Sequence, residues 1–197
     1  MEALCRKIAY TVLIFMLIAI SKNPAYAIPN SSIQISGNVG SIFAMEFSKD
    51  SSSVYNTYIP FTDVNPRSEY NYADGRAEND GKSDVGLIIL TNQDLPWYLK
   101  IHMFGPDELR GKVGAYLGQP YNRNALPDGA PTTGERPFGD KWFDVENTPS
   151  TIYVSDSNEF INTSFGTIAT LSFKINGGGV KPGNYDCNIT YTLTTVP

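Results

Sequence analysis

Over the last stretch of the chain, apolar residues fall on every second position: Tyr185, Cys187, Ile189, Tyr191 and Leu193, with Asp186, Asn188, Thr190, Thr192 and Thr194 between them. A period of two marks a strand with one buried face and one wet face. Residues 166–175 alternate in the same way, Ala169, Leu171, Phe173 and Ile175 standing against Thr170, Ser172 and Lys174. Residues 176–184 separate the two runs and carry Gly177, Gly178, Gly179, Pro182 and Gly183. The pair predicts a terminal antiparallel hairpin whose apolar face the rest of the chain must cover.

Upstream, Ile33, Ile35, Val39, Phe43, Met45 and Phe47 share one parity, interrupted at Gly37 and Gly40. This predicts two consecutive strands or one kinked strand. Residues 28–45 hold no charge. Charge is the usual guard against edge-to-edge pairing, so the segment reads as an edge strand or as a strand offered to a neighbour. Residues 54–61 predict a further strand. The continuous apolar run 85–90 predicts a strand buried on both faces or at a sheet centre. A turn at 91–94 and a return strand at 96–101 follow, with Trp97, Leu99 and Ile101 on the core face. From 105 to 150 the pattern dissolves among seven glycines and six prolines. A short helical turn at 106–110 and short strands near 112–117 and 141–145 are expected there, in an elaborated connection across one end of the domain. Residues 152–154 predict one more strand. The count is eight or nine strands, with no amphipathic helical pattern after residue 28 and no internal repeat. The expected fold class is all-β, an immunoglobulin-like or jelly-roll antiparallel β-sandwich.

The N-terminus adds an address. Arg6 and Lys7 precede an uncharged run of 13 residues, 8–20, and the chain then reaches Ala25-Tyr26-Ala27. That order describes a secretory signal peptide, and the run is shorter than the roughly 20 residues a membrane-spanning helix needs. The expected organisation is a signal peptide at 1–27 and a single β-sandwich domain at 28–197, with a long irregular insertion at about 105–150. The destination is the periplasm, the cell surface or the extracellular space. The mature part keeps 12 basic and 19 acidic side chains, a net charge of −7. Acidity without a basic cluster argues against nucleic acid or anionic lipid as a partner. Cys187 is the one cysteine left, so no internal disulfide forms, and its inward position suggests a buried, inert thiol.

Signals for catalysis are sparse. His102 is the sole histidine and lies between Ile101 and Met103; no G-x-S-x-G elbow is present. One histidine and one cysteine do not make a zinc site. The expectation is a non-enzymatic protein without cofactor or metal. Asp74, Glu78, Asp80 and Asp84 invite a calcium reading, but the frame that puts Gly81 in sixth place begins at Arg76, so the D-x-[DN]-x-[DN]-G loop fails. A solvated loop is expected instead. Tyr116, Tyr121 and Trp142, with Tyr70 and Tyr72, sit in polar stretches. Such rings either close loops over the core or stack on a sugar with their polar edges wet.

Three patches carry a family resemblance: residues 32–39, containing Ile33, Ile35 and Val39; Leu90-Thr91-Asn92-Gln93 with residues 97–101; and Lys181-Pro182-Gly183-Asn184-Tyr185 running into Ile189, Tyr191 and Leu193. Together they resemble exported subunits of bacterial surface fibres, the alternate chaperone-usher pilins, and more distantly the secreted domains related to spore coat protein U. The resemblance implies a structural or adhesive cell-surface subunit that assembles with copies of itself or with other fibre subunits. It also implies strand donation, with Ile33, Ile35 and Val39 inserted and Tyr185, Ile189, Tyr191 and Leu193 along the acceptor edge. The alternative is a self-contained sandwich that binds carbohydrate through Tyr116, Tyr121 and Trp142.

Overall fold

Val85, Leu87 and Ile89 on one strand face Trp97, Leu99 and Ile101 on the next, and none of the six is more than 2% exposed. Alternation therefore builds the core as the sequence implies, at roughly 1.5–3 kcal/mol for each large side chain removed from water. The computed structural model describes residues 42–48, 53–55, 57–74, 76–78, 80–122, 131–157, 159 and 166–197. The chain divides between Val39 and Gly40, and all of these residues belong to the second unit. The expected signal peptide at 1–27 and the candidate donors Ile33, Ile35 and Val39 lie outside the described residues.

Ten strands form among the described residues: β1 (Phe43–Phe47), β2 (Asn71–Tyr72), β3 (Val85–Thr91), β4 (Tyr98–Phe104), β5 (Val113–Leu117), β6 (Tyr121–Asn122), β7 (Phe143–Asp144), β8 (Ser150–Val154), β9 (Thr167–Ile175) and β10 (Asn188–Thr194). The excess over the expected count comes from β2, β6 and β7, which are two residues each and too short to show a period. The larger sheet runs β1-β3-β9-β5-β7, with β2 and β6 also paired to β9; the smaller runs β10-β4-β8. Every named strand pair is antiparallel. The inner faces of both sheets share one hydrophobic cluster, so the fold is an all-β sandwich.

Two expected pairings are overturned. The terminal runs do not form a hairpin: β9 lies at the centre of the larger sheet, between β3 and β5, whereas β10 pairs with β4 in the smaller one. Twelve residues separate β9 from β10. That is far beyond the two to five of a hairpin loop, and both edges of β9 are already taken. For the same reason the run 96–101 is not the return partner of 85–90. β3 is held by β1 and β9, and the chain crosses to the other sheet before β4.

Three local expectations also change. Residues 54–61 form no strand among those described; Val54 and Tyr55 instead donate to the carbonyls of Ser83 and Asp84. The acidic stretch is not simply solvated. Asp84 is 1% exposed and accepts from the Phe173 N–H at 2.6 Å and from Arg76 Nη1 at 2.7 Å. Arg76 also grips both carboxylate oxygens of Asp80 at 2.8 Å, so one guanidinium neutralises two acids that looked like metal ligands. Burial raises the pKa of Asp84, against the opposing pull of the Phe173 amide and Arg76. Finally, the strands expected near 112–117 and 141–145 form as β5 and β7, but β5 is no connection across one end: it is a full member of the larger sheet, with Val113, Ala115 and Leu117 in the core. The expected helical turn is a short 3-10 helix, Asp107–Leu109, which buries Leu109.

A half-open apolar groove as the candidate site

Among the described residues, the smaller sheet is closed on one flank and open on the other. On β4, Leu99, Ile101 and Met103 point inward and are buried, and on β8 Ile152 and Tyr153 are too. The inward residues of the β10 run, Tyr185, Cys187, Ile189, Tyr191 and Leu193, are only partly buried. Beside them lies a groove of about 860 Å³. Its floor is the inner face of the larger sheet, at Val85, Val113 and Phe173, and its walls include Phe47 at the end of β1 and Tyr185, Ile189 and Tyr191. Ile59 and Phe61, from the segment that fails to become a strand, line it as well. One end is marked by an edge-on contact between the Phe47 and Tyr191 rings, 6.5 Å between centres.

Among the described residues, the strand edges beside this groove have no second partner. β10 has β4 on one side and no described partner on the other, and β1 likewise ends the larger sheet. Unpaired edge N–H and C=O groups are a template for another strand. The other two edges are treated differently. β8 is covered by residue 135: Glu135 and Val154 exchange backbone bonds at 2.8 and 2.9 Å. β7 is only two residues long.

Two titratable groups on the groove wall are disfavoured in their charged forms. Burial raises the pKa of the Cys187 thiol, with Asp186 adding to it, and burial raises that of the Tyr191 phenol, with Asp84 adding to it. Cys187 is free and half-buried, because it lines this opening and is not packed inside a closed core.

Of the candidate acceptor residues, Tyr185, Ile189 and Tyr191 are brought together in the groove wall. Leu193 packs against the core opposite Leu99, further along β10 and away from the groove. The strand that holds these residues begins at Asn188, so Tyr185 belongs to the irregular approach to it. Of the candidate sugar-stacking residues, Tyr116 and Trp142 meet on the outer face of the larger sheet, 5.7 Å between ring centres. Tyr121 stands on β6, opposite Ile168. Sequence reasoning missed Lys174 as a member of that outer cluster, although its parity on β9 signals an outward side chain. His102 lies on the outer face of β4 opposite Thr190, half-buried. Among the described residues, no group of three or more His, Cys, Asp or Glu could hold a metal ion. No family model matches the chain, and no curated protein sequence matches it either.

Proposed function

We propose that the chain is a non-enzymatic structural or adhesive subunit of a cell-surface assembly, joined to its neighbours by an extended strand laid into the groove between β1 and β10. The observation that carries this reading is the groove itself: an apolar floor at Val85, Val113 and Phe173, walls that mix Phe47, Ile189 and Tyr191 with Thr57, Asn184 and Asn188, and two flanking strand edges without a second described partner. Strand addition to such an edge gains main-chain hydrogen bonds, while alternate side chains fill the apolar space.

The occupant that fits is residues 33–39 of a second copy. Ile33, Ile35 and Val39 lie on one parity over seven residues, about 20 Å when extended, and would set alternate side chains into a groove whose wall includes Tyr185, Ile189 and Tyr191. β1 runs from Phe43, opposite Thr91, to Phe47, opposite Leu87, and only the Phe47 end borders the groove, so Phe43 stands about 13 Å from it along the strand. A segment from a second copy carries no such offset. An address at the N-terminus and an acidic mature surface suit export to the periplasm, cell surface or exterior.

Light scattering over a concentration series tests this, on residues 28–197 and on a version lacking 28–40. The longer chain is expected to associate; the shorter is expected to stay monomeric and to bind one synthetic peptide of residues 28–40. Two stable monomers and no peptide binding would overturn the proposal.

A further inference from the structure

The outward face of the larger sheet carries a second constellation, on the opposite side from the groove. Register assembles it. Tyr72, Lys174, Gly114 and Asp144 are successive partners across β2, β9, β5 and β7, and Tyr116 pairs with Ser172 in the neighbouring row. Their sequence neighbours Phe173, Ala115 and Phe143 point into the core, so these residues point out. Gly114 makes the arrangement possible. A Cβ there would stand 3.0 Å from Cε and 3.2 Å from Cγ of Lys174, so its absence lets the lysine stem lie along the sheet.

The Lys174 ammonium then sits 4.2 Å from the centre of the Tyr70 ring and 4.7 Å from that of Trp142. Trp142 is bracketed by Tyr72 and Tyr116, tilted against it by 56° and 44°. Among the described residues the ammonium forms no ion pair, and its contacts are ring faces. Its three N–H donors remain available. Asp144, Glu69 and Glu78 act on it electrostatically without pairing with it.

The chemistry of this patch selects its occupant. A protein-binding hot spot is dry and depleted of charge at its centre, which a caged ammonium is not. The surrounding carboxylates repel an anion. A neutral sugar ring suits both features: its C–H face stacks on an aromatic ring, and its hydroxyls accept from the ammonium and donate to carboxylates. We infer that Tyr70, Tyr116, Trp142 and Lys174 form a shallow binding site for a neutral saccharide. The site does not depend on what fills the groove, which is on the other face of the sheet.

Tryptophan fluorescence of residues 28–197 tests this, with a panel of neutral hexose and N-acetylhexosamine oligosaccharides as probes. The chain has two tryptophans and Trp97 is fully buried, so a ligand-induced change reports on Trp142. A saturable change is expected. Lys174→Met keeps the stem and rings but removes the donors, and is expected to weaken binding at least about tenfold, the loss of one charge-assisted hydrogen bond. Tyr70→Ala, at a ring 52% exposed and safe to truncate, is expected to weaken it as well. Tyr121→Ala is expected to leave it unchanged. No saturable change with any probe, or wild-type binding by both Lys174→Met and Tyr70→Ala, would overturn the proposal and leave the cluster a structural brace.

Discussion

The two strands that flank β4 have opposite fates. β8 is sealed. Ile152 and Tyr153 are each 1% exposed, Glu135 pairs with its outer edge, and the Tyr153 hydroxyl meets Glu159 Oε1 and Thr132 Oγ1, both at 2.5 Å. β10 is left ajar, with its apolar residues half-covered and its outer edge without a described partner. The difference lies in the covering segment. Residues 131–135 and 159 close one flank from within the chain, and nothing described does so on the other. A sandwich that completes one edge and leaves the opposite edge apolar has a place for a strand from elsewhere.

Core truncation should separate the flanks most sharply. Ile152→Ala empties space that is closed all round and is expected to cost about 2–5 kcal/mol. Ile189→Ala removes methylenes beside space already open and is expected to cost about 1 kcal/mol or less in the isolated chain. Urea denaturation measures both. Equal penalties would mean that β10 is covered in solution. With a peptide of residues 28–40 present, the cost of Ile189→Ala should rise towards that of a core site.

A smaller effect sharpens the comparison through pH. Burial raises the pKa of Glu159, against the hydrogen bonds it accepts from the Tyr153 hydroxyl and the Asp156 N–H. An acid raised on folding binds more protons folded than unfolded. Its stabilising contribution is therefore complete below its unfolded pKa of about 4.3 and is lost as pH rises through the folded value. Glu159→Gln is expected to remove this slope, so the wild type should lose stability relative to the variant as pH rises from about 4. Urea midpoints of the two chains across that range would show it. Parallel midpoints would place Glu159 in water. Substitutions on the β10 flank should leave the slope intact, since Tyr191 and Cys187 are both shifted upward, away from that range.

The smallest expected change is at Cys187. Half-buried in the groove, its thiol should react with a maleimide under native conditions, slowly because burial disfavours the thiolate. The peptide of residues 28–40 should slow it several-fold further. Labelling at the same rate with and without the peptide would put the strand elsewhere.

Much of the core was legible in the chain, because a period of two says which residues face inward. Trp97, Leu99 and Ile101 follow from it directly. It does not say which strand lies alongside. For that reason β9 and β10 read as a hairpin although each had a partner distant in sequence, and the groove stayed hidden in an alternation that looks the same beside open space as beside a packed core. Asp84 was illegible for a related reason. Its burial depends on Arg76 folding over it and on the Phe173 amide, and neither is signalled by a run of acids. Lys174 shows its outward parity, but the cage needs Gly114, its partner on the neighbouring strand, and the rings of Tyr70 and Trp142, which only the sheet register brings to it.

The central place of β9 has a consequence in time. It is the strand on which β2, β3, β5 and β6 all pair, and through β3 and β5 it joins β1 and β7 to the same sheet. Yet it ends at Ile175, late in a chain of 197 residues. A polypeptide emerging N-terminus first has every other strand of that sheet in hand before the one that unites them. Its contacts are non-local, the pattern associated with slow folding. Until residue 175 has appeared the larger sheet lacks the strand that joins its two halves, so its completion waits for the last quarter of the chain.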